Sequence, residues 1–132
     1  MVIDTSAIIA ILINEPERDI FTQIVAAEPA SAISIMTFYE ASIVSASKIG
    51  TPRAAERVDE FVHQMQIDIV PLTIDDAVAA REAYFRYGRG YHSAGLNLAD
   101  CFAYALAKTR NEPLLFKGDD FSKTDVVPAW RP

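Results

Sequence analysis

The stretch MVIDTSAIIAIL, residues 1–12, decides the fold because it sets one carboxylate between two apolar elements. Residues 1–3 predict a short buried strand, and the apolar side chains of residues 8–12 predict a buried helix. Asp4 stands between them, where an ionised carboxylate is unfavourable unless another group compensates its charge. The opening of the chain therefore raises the question of what pairs with Asp4.

The composition predicts one globular domain over residues 1–132, with 51% hydrophobic residues. No apolar run is long enough to span a bilayer and no basic leader precedes the first strand, so we expect a cytoplasmic protein without membrane contact. Cys101 is the single cysteine, which excludes an internal disulfide. The net charge of −6 argues against nucleic-acid binding by bulk charge, unless clustered acids hold cations that attract phosphate.

Strand-like and helix-like segments alternate along the chain. The predicted strands are residues 1–3, 31–35, 67–72 and 113–116, with a short fifth strand considered at 126–130. The predicted helices begin near Ser6, Pro16, Thr37, Thr51, Thr73 or Asp75, and Asn97. This alternation predicts a three-layer α/β/α sandwich with a central, mainly parallel sheet, in which functional sites form beyond the carboxyl ends of the strands.

Acidic residues fall at that edge of the predicted sheet. Asp4 directly follows the first strand, and Glu40 is expected in the first turn of the helix after the second strand. Asp100 lies in the first turn of the helix that leads to the fourth strand, and Asp119 and Asp120 follow that strand. Four positions far apart in sequence are thus expected to meet at one place.

Each acid also has a local structural interpretation, and local capping is the commoner role for any one of them. Asp4 is able to cap the first helix, and residues 37–40 and 97–100 both fit capping boxes. The acids of residues 118–121 fit a turn. Asp100 fits a purely local role least well, because its helix is apolar on nearly every side until Lys108.

Carboxylates that converge on a buried edge repel one another and raise one another's pKa. A divalent cation removes that penalty, and an all-oxygen ligand set suits Mg²⁺ or Mn²⁺. Only His63 and His92 accompany the single cysteine, so the chain offers no zinc site. Carboxylate-held cations are a known basis for phosphodiester hydrolysis, which then needs no Ser or His nucleophile.

The chain resembles PIN domains, and in particular VapC-type toxins of toxin–antitoxin pairs, over its whole length. The resemblance is carried by VIDTSAIIAIL, YEASIV, LADCFAYALAK and LLFKGDDF, in that order. It implies a Mg²⁺- or Mn²⁺-dependent endoribonuclease that cleaves RNA and arrests translation. It also implies a cognate VapB-type antitoxin that occludes the site, a homodimer, and no direct DNA binding by this chain alone.

By the same resemblance, the catalytic and metal-holding acids correspond to Asp4, Glu40, Asp100 and one acid of residues 118–121. We choose Asp119 for the last position, with Asp120 as its competitor because the spacing of this turn varies among related sequences. Thr5 or Ser6 would orient Asp4 or a water, and Asn97 and Ser122 are expected to have supporting roles.

Residues 81–92, REAYFRYGRGYH, interleave arginines with aromatic side chains, a pattern that suits RNA contact. A solvated helix end with tyrosines partly in the core explains the same pattern. Lys117 either contacts phosphate or balances local charge, Cys101 is interpreted as a core residue, and Trp130 as a cover over the core or a dimer contact.

Two other classes of function compete with a nuclease. A phosphatase or phosphotransfer domain also places an Asp after a parallel strand, but the phosphatase pattern requires a second Asp where Ser6 stands. A non-catalytic interaction module would keep the fold without the activity, and the presence of all four acids argues against it.

Overall fold

A four-stranded sheet lies at the centre of the computed structural model, which describes residues 1–132. Its strands are β1 (Val2–Ile3), β2 (Ala32–Ser34), β3 (Asp68–Val70) and β4 (Leu114–Leu115). Their order is β3-β2-β1-β4, and every neighbouring pair is parallel. The α/β class with a parallel sheet is confirmed.

Six α-helices cover the two faces of this sheet. They are α1 (Thr5–Leu12), α2 (Arg18–Ala27), α3 (Ile35–Ile49), α4 (Glu56–Gln64), α5 (Ile74–Tyr87) and α6 (Leu98–Arg110). The helix expected to begin near Thr51 is divided into a 3-10 turn, Pro52–Ala55, followed by α4. No helix is both long and apolar enough to cross a membrane.

Two separate apolar cores confirm the three-layer arrangement. Successive strand side chains point to opposite faces of a sheet. Val2 and Leu114 accordingly belong to the core that includes α5 and α6, whereas Ile3 and Leu115 belong to the core that includes α1 to α4. The short central strands are thus buried on both faces, as parallel sheets usually are.

Two helices begin earlier than the sequence suggested. Asp4, and not Ser6, is the N-cap of α1, because its carboxylate accepts the backbone N–H of Ser6. Ser34 is the N-cap of α3, and its hydroxyl accepts the backbone N–H of Thr37 at 3.0 Å. The predicted cap at Thr37 is therefore wrong, and Glu40 lies in the second turn of α3.

The fifth strand considered at residues 126–130 is reduced to a single bridge between Leu114 and Pro128. Proline has no N–H for a ladder, and β4 itself contains only two residues. The segment instead carries Trp130 onto the core, where its ring meets Phe21 edge-on at 5.2 Å. The interpretation of Trp130 as a cover over the core agrees with this contact.

Candidate functional site

Three of the four sequence-predicted acids line one cavity of about 350 Å³ at the carboxyl edge of the sheet. They are Asp4 at the end of β1, Glu40 on α3, and Asp100 in the first turn of α6. The polar side chains of Thr5, Ser6 and Asn97 line the same cavity. The parallel topology brings these segments together because β1 and β2 both end at this edge.

Asp4 is the most deeply buried of the acids, with 3% of its surface exposed. Its Oδ2 accepts hydrogen bonds from the backbone N–H of Ser6 at 2.8 Å and from the Ser6 hydroxyl at 2.6 Å. Its Oδ1 is buried and has no hydrogen-bond partner. Burial first, then the charges of Asp100 and Glu40, raise the pKa of Asp4 to about 7, although both Ser6 hydrogen bonds oppose this shift.

Ser6 connects Asp4 to the far end of the chain. The Ser6 hydroxyl donates to Asp4 and accepts the backbone N–H of Lys117 at 2.9 Å. Lys117 follows β4 closely, so the orientation of the carboxylate after β1 depends on the docking of β4. Thr5 or Ser6 is expected to orient Asp4 or a water, and of the two it is Ser6 that contacts Asp4.

Glu40 is held by two other elements. Its Oε2 accepts the hydroxyl of Thr5 at 2.6 Å, and its Oε1 accepts a long hydrogen bond from Asn97 Nδ2 at 3.4 Å. The capping box proposed for residues 37–40 is wrong, since Ser34 caps the helix instead. Glu40 is consequently free to face the cavity. Sequence reasoning missed the Thr5 contact, which joins residues 35 positions apart and leaves no local pattern.

Asp100 combines a local role with membership of the cavity. Its Oδ2 accepts the backbone N–H of Asn97 at 2.7 Å, and Asn97 Oδ1 accepts the backbone N–H of Asp100 at 2.9 Å. This capping box uses only one of the two carboxylate oxygens. Burial is the main cause that raises the pKa of Asp100; the Asn97 N–H and the charge of Arg89 lower it, while the charge of Glu40 raises it.

The two acids of the turn after β4 have different surroundings. Asp119 lines another cavity, of about 560 Å³, and its carbonyl accepts the Ser122 hydroxyl at 2.6 Å. The charge of Asp120, by contrast, contributes to the raised pKa of Asp100. Gly118 has a φ of 98°, a conformation that favours glycine, and it directs the chain that carries both acids. Asp119 and Ser122 line that other cavity, and neither Asp119 nor Asp120 lines the acid cavity, but the charge of Asp120 acts on Asp100.

Acids and two lysines, Lys48 and Lys117, line the cavity, but neither lysine forms an ion pair with Asp4, Glu40 or Asp100. Lys117 lines it, but its ammonium pairs with Glu15 at 2.8 Å and Glu17 at 2.7 Å. No ion pair joins Asp4, Glu40 or Asp100 to a basic side chain. Lys117 therefore serves the charge-balancing interpretation and ties the α1–α2 connection to the end of β4.

The oxygen donors of the cavity fit a hard divalent cation that binds one or two carboxylates and keeps several waters. No three Asp, Glu, His or Cys side chains lie close enough together to ligate a single ion. Mg²⁺ is commonly held by one or two carboxylates while it keeps several waters, so a closed cage is not required. The unpartnered, buried Oδ1 of Asp4 is the ligand atom that such an ion needs. All neighbouring donors are oxygens or an amide, which excludes a thiolate or imidazole site.

Other sequence candidates have structural roles. Arg86 pairs with Asp125 at 3.6 Å and lies 4.8 Å from the ring centre of Tyr87, which is buried. Tyr87 therefore belongs to the core, in agreement with the structural interpretation of residues 81–92, while the Arg86 side chain is exposed. Cys101 is buried, and burial raises the pKa of its thiol to about 11, so it does not act as a nucleophile.

Comparison with known proteins identifies the family. A model of the PIN domain matches residues 1–127. Ribonuclease VapC of Mycolicibacterium smegmatis is 48% identical over 127 residues, which cover 96% of this chain and 98% of that protein. Ribonuclease VapC30 of Mycobacterium tuberculosis is 43% identical over 132 residues and covers 100% of both chains. The match therefore includes β1 to β4 and every residue of the acid cavity.

Solved structures share the fold. The crystal structure of Mycobacterium tuberculosis VapC20, described as a toxin that cleaves the sarcin-ricin loop, gives a TM-score of 0.80 at 19% identity, over 99% of this chain and 98% of that one. A toxin–antitoxin complex from Klebsiella pneumoniae gives 0.71 at 22% identity, with the same coverage of 99% and 98%. Sequence and fold agree, and the chain belongs to the PIN-domain family and, within it, to the VapC ribonucleases.

Proposed function

We propose that this chain is a Mg²⁺- or Mn²⁺-dependent endoribonuclease toxin whose site is built from Asp4, Glu40, Asp100 and one acid of the turn after β4. The observation that carries the proposal is the buried, unpartnered oxygen of Asp4 in a cavity that Glu40 and Asp100 also line. VapC ribonucleases are metal-dependent in general, which supports this assignment.

Asp4 and Asp100 are the residues we assign to hold the cation, and Glu40 lies beside them to hold a second ion or a water. A bound divalent ion would supply a lower pKa for the attacking water and neutralisation of charge on the phosphate. The chain's own contribution is positioning. Ser6 fixes Asp4, while Asn97 fixes Asp100 through the capping box.

For the fourth acid we propose Asp120 in place of our first choice, Asp119. We expect Asp120→Asn to lower the rate of RNA cleavage about tenfold, because it removes a charge near Asp100. Asp119→Asn makes the same charge change one residue away and should stay within about twofold of the original rate, since its side chain lines another cavity. Cleavage rates under saturating Mn²⁺ measure both, and the reverse order of effects would restore Asp119.

The remaining properties follow from family membership. We propose that residues 1–132 act as one nuclease domain in the cytoplasm, as a homodimer, and that a VapB-type antitoxin occludes the acid cavity. The structural neighbour from Klebsiella pneumoniae is a toxin–antitoxin complex, which supports a protein partner. The phosphatase alternative loses support, because the residue two positions after Asp4 is Ser6 and not a second Asp. The Ser6 hydroxyl donates its hydrogen bond to Asp4.

The deciding experiment uses the purified chain, freed of antitoxin, on total cellular RNA. We expect cleavage with Mn²⁺ or Mg²⁺, no cleavage in excess EDTA, and recovery when Mn²⁺ is added beyond the chelator. Mapping the new RNA ends then identifies the target and the cut position. Cleavage that continues unchanged in EDTA would contradict the metal-dependent mechanism, and an inactive chain with added metal would favour the interaction module.

A further inference from the structure

A second cavity, of about 540 Å³, adjoins the acid cavity between α5 and α6. Ala77 and Ala80 of α5 and Leu98 and Phe102 of α6 give it a mainly apolar lining. Its volume lies in the range of small-molecule sites, roughly 300–1,000 Å³. Asn97 lines both cavities. When one group of a ligand contacts the acids, an adjacent group of the same ligand therefore lies beside the second cavity.

Two unpaired arginines mark this cavity. Arg81 and Arg89 line it, and neither forms an ion pair, whereas Arg86 pairs with Asp125 and Arg110 pairs with Asp68. Six of the eight arginines of the chain form no ion pair, so these two are distinguished by their position beside an apolar lining and not by the lack of a partner. Arginine binds phosphate through paired N–H donors, so this surface is complementary to an anion that carries an apolar ring.

An aromatic cluster begins at the wall of this cavity. Tyr84 lines it, and the Tyr84 hydroxyl donates to the carbonyl of Arg89 at 3.2 Å, which ties α5 to the loop that follows. The rings of Tyr84, Phe85 and Tyr91 pack edge-on with centres 5.4 to 6.3 Å apart. Phe85 and Tyr91 remain 57% and 60% exposed, so they offer aromatic surface beside Tyr84.

We propose that the α5–α6 cavity accepts an unpaired nucleobase of the RNA substrate, with Arg81 and Arg89 on the phosphates that flank it. The proposal rests on the ribonuclease function and names a subsite for the nucleotide next to the scissile phosphate. Proteins that read single-stranded RNA commonly splay out bases, stack them on aromatic or apolar side chains and hold the backbone with arginine. Because Asn97 lines both cavities, this subsite lies directly beside the acid cavity.

The test measures binding of short fluorescein-labelled single-stranded RNAs, the four homopolymers and an abasic counterpart, by anisotropy in Ca²⁺ to slow turnover. Arg89→Ala and Arg81→Ala should each weaken RNA binding about tenfold. Each should also reduce the slope of log K against log salt concentration by about one, the value for one lost phosphate contact. Ala77→Trp, on an exposed turn of α5, should fill the cavity and abolish the preference for base-bearing over abasic RNA. Arg57→Ala, an exposed arginine of α4, makes the same charge change as a control.

The outcomes distinguish failure of the base subsite from failure of the ribonuclease function. If the original chain cleaves RNA in Mn²⁺ while the Arg81, Arg89 and Ala77 variants bind like the Arg57 control, the cavity assignment is overturned and the nuclease assignment stands. Loss of antitoxin binding with RNA binding intact would give the cavity to the protein partner and also overturn the proposal. If the original chain cleaves no RNA with any cation, the ribonuclease function fails, and the subsite fails with it.

Discussion

Asp4→Asn is expected to lower the rate of RNA cleavage by at least about a thousandfold, the scale at which loss of a principal electrostatic group acts. The asparagine is nearly isosteric and keeps an oxygen that is able to accept both hydrogen bonds from Ser6. It lacks the negative charge that a divalent cation requires at the unpartnered oxygen. The effect therefore separates the charge of residue 4 from its role as the cap of α1.

The same substitution should change stability in a pH-dependent direction. At pH 8 without metal we expect the variant to be more stable, because it removes a carboxylate that is ionised against the unfavourable effect of burial. Near pH 4 that advantage disappears, since the protonated Asp4 is neutral as well. Single-turnover cleavage and urea unfolding measure the two effects, with Asp59→Asn on the exposed face of α4 as the control. Cleavage within tenfold of the original rate would remove Asp4 from the mechanism.

In EDTA, the free energy of unfolding is expected to fall by about 3 kcal/mol as the pH rises from 5 to 8. The native pKa of Asp4, about 7, exceeds its ordinary value of 3.8, so the folded chain binds more protons than the unfolded chain across this interval. Stability must then decrease with rising pH until the native pKa is passed. The raised pKa of Asp100 acts in the same direction.

Divalent cations should reverse this loss only where Asp4 is ionised. We expect millimolar Mn²⁺ to raise the unfolding midpoint clearly at pH 8 and hardly at pH 5, because a cation competes with the proton for the same oxygen. The lowered pKa of Asp125 affects stability only at more acidic pH, outside this window. Asp4→Asn should flatten the profile and remove most of the Mn²⁺ effect. Equal stabilisation by Mn²⁺ at both pH values would contradict a cation at Asp4.

The fold was predictable from sequence because its signals are local. Short apolar strands alternate with helices whose caps and stops, such as Asn97 and Gly50, are visible in the residue order. The start of α3 was misplaced, since Ser34 and Thr37 are both good caps and only the end of β2 selects between them. A sequence pattern predicts that a helix or strand exists more reliably than it predicts the residue at which that element begins.

The site was predictable only as a set of acids at one edge. Which acid of the turn after β4 faces Asp100 depends on the backbone at Gly118, and no spacing rule determines that direction. The contact between Thr5 and Glu40 joins two helices, and the cavity beside Asn97 appears only once α5 packs on α6. Each of these features depends on tertiary packing, which a linear pattern does not contain.

The hydrogen bond from the Lys117 backbone to Ser6 joins two segments that are synthesised at different times. The segment that carries Asp4 and Ser6 is synthesised before the amide that fixes Ser6, which lies 111 residues later in the chain. Asp100 also arrives late, with the helix that precedes β4. A nascent chain therefore lacks Asp100 until α6 is made and lacks the hydrogen bond that fixes Ser6 until β4 pairs with β1, so we expect no cleavage of RNA before that point.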